Sequence, residues 1–170
     1  MEENLVITFV ILHILFFMVC YMATGDDKKN IKNFYVYSDE IQSLLKEDES
    51  LKEFIPKKTS KIISFIVNLI IFTSIFIIIG IILKISNLKE SFIYFFILGE
   101  SLNLFDLIFI DIFWWRKTKR IRFTKIQEDK KYKEIKYHMI AFKNGIILFL
   151  LVAIFSSIIL NYMLKCILKI

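Results

Sequence analysis

Hydrophobic and polar positions fall into four long apolar blocks separated by three polar stretches of unequal length. The first block runs from Leu5 to about Met22, 18 residues. As a helix it is ~27 Å long, enough to cross a hydrocarbon core. The second runs from Ile62 to Leu83 and the third from Ser91 to Trp115. The fourth has its apolar part from about Ile140 to Leu164. This pattern predicts an all-α polytopic membrane protein: a four-transmembrane-helix bundle with spans 5–23, 61–84, 91–115 and 140–164. The last helix is expected to start earlier, near Asp129, and to enter the bilayer around Lys143 and Gly145.

The connection 25–60 is polar, but Ile41, Leu44, Leu45, Leu51, Phe54 and Ile55 recur at helical spacing within it. An amphipathic cytoplasmic helix is expected over 39–55, capped by Asp39 with Gln42 three residues on and stopped by Pro56. Its opposite face carries Glu47, Asp48 and Glu49, so docking on the protein's own basic loop is favoured over tight binding to anionic lipid. The connection 85–90 is short enough to make the second and third spans an antiparallel hairpin.

Composition sharpens this picture. Of 170 residues, 56% are hydrophobic, 16% are aromatic, and there are four Gly and one Pro. That exceeds the usual apolar share of a soluble domain, and one membrane domain covering 1–170 is the expected organisation. The start, Met1 to Asn4, lacks the positive region of a secretory signal, so the first block reads as a retained helix. Two cysteines, Cys20 and Cys166, show no metal spacing. No metal and no cofactor is expected.

The charge of +6 follows the apolar blocks. Eight Lys and Arg lie from Lys28 to Lys61 and eleven from Arg116 to Lys143, against four at Lys84, Lys89, Lys165 and Lys169. The positive-inside rule places both long connections in the cytoplasm and both termini outside a plasma (cytoplasmic) membrane. The partner implied is a lipid bilayer with anionic headgroups rather than nucleic acid. Residues expected at the headgroup level are Trp114, Trp115, Arg116, Lys117, Lys119, Arg120, Arg122 and His138.

The chemically unusual stretch is the third span, with Glu100, Asn103, Asp106 and Asp111 inside it. Ionisable groups in hydrocarbon are costly and turn inward or take partners. With Glu100 at angle zero and a step of ~100° per residue, all four fall within an arc of ~140°. The opposite surface, Phe95, Leu102 and Phe109, then reads as lipid-facing. Glu100 and His13 both lie ~12 Å inside the outer face and are expected to meet. Asp106 is expected to meet Asn68, and Asp111 to reach Arg116 or Lys117 by snorkelling. Gathering of Asp111, Tyr132 and His138 at the cytoplasmic interface is a third possibility. No deep Lys or Arg answers Glu100 or Asp106. They are therefore protonated, bind a cation, or take a charge from a partner protein.

Asn103-Leu104-Phe105-Asp106-Leu107, then Asp111 and a basic run after the aromatics, resembles an uncharacterised family of small bacterial four-helix membrane proteins. Tyr132-Lys133, His138, Phe142 and Gly145-Ile146 resemble that family's second stretch. Where that family has a Gly-Thr-Glu turn, this chain reads Phe123-Thr124-Lys125-Ile126. The resemblance implies the architecture and carries no activity.

Phosphate loops, HExxH and GxSxG are not found. Three functions stay open. The first is a non-catalytic accessory or assembly component, as homo-oligomer or with a partner membrane protein. The second is a cation- or proton-linked transporter or channel-like protein. The third is a membrane-interface lipid-modifying enzyme.

Overall fold

A computed structural model describes residues 2–126, 128, 132 and 134–166. The described residues form six α-helices: α1 (Glu2–Met22), α2 (Asp27–Asn30), α3 (Asp39–Glu47), α4 (Lys61–Ile82), α5 (Leu88–Phe105) and α6 (Lys136–Cys166). A π-helix (Asp106–Trp115) continues α5. Four helices are long and apolar enough to cross a membrane: Leu5–Met22, Lys61–Ile82, Leu88–Trp115 and Lys136–Cys166. The described part of α6 begins at Lys136, and the expected start near Asp129 lies outside the described residues.

The chain divides into two compact units. The first comprises Met1–His13, Thr59–Leu104 and Lys143–Ile170. Here α4, α5 and α6 meet through aromatic rings and glycines. Phe76 packs on Phe95 at 5.5 Å between centroids, and Phe72 on Phe149 at 4.9 Å. A methyl group added to Gly99 would lie 2.7 Å from Phe149, and one added to Gly80 would strike Leu160 and Phe95. Small residues let helix backbones approach closely.

Phe95 and Leu102 are buried in this packing, while Phe109 on the π-helix is exposed. The reading of Phe95 and Leu102 as lipid-facing is therefore wrong. They are the face of α5 that its neighbours cover, and the outward positions are Ile93, Ile97 and Leu104. The hairpin turn is built locally. Ile85 N–H closes on the Gly80 carbonyl with Lys84 left-handed at φ 55°, and Asn87 Oδ1 caps the start of α5.

The second unit comprises Ile14–Lys58 and Phe105–Phe142. Its core joins the two polar connections: Ile31, Phe34, Tyr37, Ile41, Leu45 and Leu51 pack with Trp115, Ile121, Phe123 and Tyr132. The helix expected over 39–55 is shorter. Ser38, not Asp39, caps it by accepting from Ile41 N–H, and α3 ends at Glu47. Asp48 ends it by taking Ser50 N–H and Oγ on its carboxylate, a local bond that competes with helix continuation. A 3₁₀ turn (Lys52–Phe54) follows.

Lys125 Nζ reaches Asp48 Oδ2 at 2.8 Å, so the acidic end of α3 meets the basic connection directly. With Ser50, it holds the Asp48 carboxyl at about 2, below its ordinary 3.8. A depressed folded value means the contribution is complete above 3.8 and is lost as pH falls toward 2. Lys125→Ala is expected to return the Asp48 titration toward 3.8, read by carboxyl chemical shift against pH. An unmoved midpoint would refute the pairing.

Candidate functional site

The third span changes helix type where its chemistry begins. Asp106 opens the π-helix, whose i→i+5 hydrogen bonds bring residues five apart onto one face. Asp106 and Asp111 are spaced by five. The uniform 100° wheel set them far apart, and the π-helix brings them close. Leu107, Ile110, Asp111 and Trp115 are buried along this stretch, whereas Ile108, Phe109 and Phe113 face outward.

Asp111 does not snorkel to Arg116 or Lys117. Its Oδ1 lies 2.9 Å from His138 Nδ1 near the start of α6. Both are nearly inaccessible, with side chains 12% and 5% exposed. Trp115 lies against the imidazole at 5.9 Å. Asp106 is near enough for its charge to interact with both Asp111 and His138. Three titratable groups thus gather in the second unit, on two elements far apart in sequence. Tyr132 uses its hydroxyl to support the loop, accepting from Phe123 N–H at 3.0 Å and donating to the Ile126 carbonyl at 2.8 Å.

The other polar positions lie in the first unit. Asn103 Nδ2 donates to Glu100 Oε2 at 3.4 Å, and Asn103 is buried hard against Gly145 of α6. Glu100 Oε1 is buried and meets no hydrogen-bond partner among the described residues. Among the described residues no hydrogen bond joins Glu100 to His13, which were expected to meet. His13 is met by Ser101 Oγ at 3.3 Å, one residue along α5, and its Nδ1 lies 2.7 Å from the Phe9 carbonyl. One residue is a turn of about 100°, enough to replace one partner by the next. Asn68 is exposed on α4.

The basic connection is held by specific contacts. Arg120 stacks on Tyr21 at 3.9 Å and donates from Nε to the Tyr21 carbonyl at 3.2 Å. Lys117 sits 4.1 Å over Phe113, and Arg122 lies 5.6 Å from the centre of Tyr132. Trp114 packs on Phe17 and Tyr21, and Trp115 on Tyr37. Arg116 is partly covered and Lys119 exposed. Tyr21, Gly25 and Asn30 were not singled out from sequence. Asn30 donates to the Arg120 and Arg122 carbonyls and accepts from Gly25 N–H, and neither charge nor periodicity marks it.

Among the described residues no group of three or more His, Cys, Asp and Glu could hold a metal ion. Comparison with family models, curated proteins and solved structures finds no match for this chain. What the fold defines is a small helical protein with four candidate membrane spans.

Proposed function

We propose that the chain is a multi-pass plasma-membrane protein that works without a catalytic centre, as an accessory or assembly component. One observation carries this reading: two of the three acids of the third span, Asp111 and Glu100, meet groups of the same chain. Asp111 takes His138, and Glu100 takes Asn103. With side chains only 12% and 5% exposed, the Asp111–His138 pair leaves little surface for a substrate, which favours a structural pin. The apolar stretch of α1 supports the same reading, since none of its 18 residues counts as buried. Its surface is left for lipid, a second copy or another membrane protein. The resemblance to small four-helix membrane proteins agrees with this architecture.

The test is isolation from native membranes in mild detergent, followed by mass determination of the intact assembly. A stoichiometric second copy or partner subunit is expected. A monomer under every solubilising condition would overturn the reading. Both termini are proposed to lie outside, with the two long connections cytoplasmic, because the Lys and Arg count favours that orientation. Cys166 is exposed and reports on it. In a Cys20→Ser chain, an impermeant maleimide should label intact cells, and labelling only after lysis would reverse the orientation.

A second reading is favoured by one feature. Asp106, Asp111 and His138 place three interacting titratable groups on and beside a π-helix, a conformation frequent at functional sites. Proton-linked transport would use them. Proteoliposome proton flux unchanged by Asp106→Asn would count against it.

A further inference from the structure

Arg120 is held more firmly than a residue serving only as loop charge requires. Its guanidinium lies on the Tyr21 ring, and Tyr21 in turn packs on Trp114. A methyl group added to Gly25 would lie 2.8 Å from Arg120 Cζ, so the backbone closes on the same group. Gly25 has φ 131°, a conformation that side chains disfavour, which keeps this wall bare. Asn30 Nδ2 donates to the Arg120 carbonyl at 3.0 Å.

Nε is used by the Tyr21 carbonyl, and the two Nη groups meet no acceptor among the described residues. The nearest carboxylates in sequence along α2 are engaged elsewhere. Asp26 caps α2 through Lys29 N–H, and Asp27 takes the Thr124 N–H and hydroxyl. Tyr21 and Trp114 end two apolar stretches, and such rings mark the headgroup level of a bilayer.

We propose that Arg120, seated between Tyr21 and Gly25, binds the phosphate of an anionic lipid headgroup. The planar fork suits two phosphate oxygens, and the Nη pair, unmet among the described residues, is the part left to meet them. Exposed Lys119 and Lys117 over Phe113 add general attraction without fixing geometry. The proposal rests on the membrane reading above and names one lipid class for it.

The protein is reconstituted in nanodiscs of phosphatidylcholine alone or with phosphatidylglycerol, and retained lipid is counted by native mass spectrometry. The parent chain should keep phosphatidylglycerol preferentially. Arg120→Lys preserves charge but loses the fork, and should weaken retention about tenfold. Lys119→Gln removes a whole charge yet should weaken it less. Equal retention in Arg120→Lys, or a larger loss in Lys119→Gln, would show a diffuse field and overturn the seat. Inorganic phosphate competing through Arg120 as well as the lipid does would assign the site to a soluble anion instead. Recovery of the chain outside the membrane fraction would overturn the membrane reading itself.

Discussion

His138→Ala should destabilise the detergent-solubilised protein by about 3–5 kcal/mol, because it leaves Asp111 buried without its partner. Asp111→Ala should cost a similar amount. The double variant should cost clearly less than the sum of the two, with a coupling of about 0.5–3 kcal/mol. Removing one member of a buried pair leaves the other desolvated and unanswered, whereas removing both leaves only lost packing. Asp111→Asn keeps the shape and an acceptor oxygen, so it should cost less than Asp111→Ala. Unfolding followed by tryptophan fluorescence suits the measurement, since Trp115 lies on His138. Strict additivity of the single losses would show that the 2.9 Å contact carries no mutual stabilisation. In a membrane-embedded pin, the same variants should also loosen the start of α6, seen as faster amide exchange around Lys136.

Gly145→Ala is expected to cost about 1–3 kcal/mol, the usual penalty for overpacking a tight contact. The added methyl would overlap Asn103 Oδ1 and drive that side chain away from Glu100, so the Asn103–Glu100 hydrogen bond should be lost as well. Gly145→Leu should be worse, since its neighbour is a short side chain that is already buried. Ile147→Leu, exposed on the same helix, should stay within about 0.5 kcal/mol of the parent. Resistance to thermal unfolding in detergent separates these cases. A Gly145→Ala protein as stable as the parent would mean that Asn103 turns aside freely and that α5 and α6 are not locked there. Gly99 makes a similar contact, with Phe149 Cβ only 2.9 Å from the methyl position. A Cβ cannot rotate away, so Gly99→Ala should show no cheaper escape.

Both predictions concern contacts that the chain does not announce. The third span advertised its acids, but the wheel drawn through them assumed one helix type throughout. The π-helix from Asp106 to Trp115 changes which residues share a face, and nothing in Asp-Leu-Ile-Phe-Ile-Asp signals the switch. His138 was marked only as an interfacial residue or a possible neighbour of Asp111, because a single His far along the chain has many available acids. His13 was paired with the acid at its own depth, and the structure gave it the adjacent Ser101 instead. The amphipathic connection was legible as an apolar stripe, and its acidic end does meet the basic loop through Lys125 and Asp48. Its length was overestimated because apolar spacing continues past Glu47, while the Asp48–Ser50 bonds that end α3 are set by side-chain geometry.

By itself the sequence determined how many helices are long and apolar enough to cross a bilayer, and which of them carries carboxylates. Length and transfer cost decide those properties, and both are sums along the chain. Only the tertiary structure decided which apolar face packs and which faces outward, as Phe95 and Leu102 show. A phenylalanine is equally at ease against lipid or against another helix, so its presence carries no direction. It also decided that Asp111 belongs to His138 and that Arg120 belongs to Tyr21. Each partner lies far off in sequence, and a polar group's choice among distant partners is fixed by where close packing brings them.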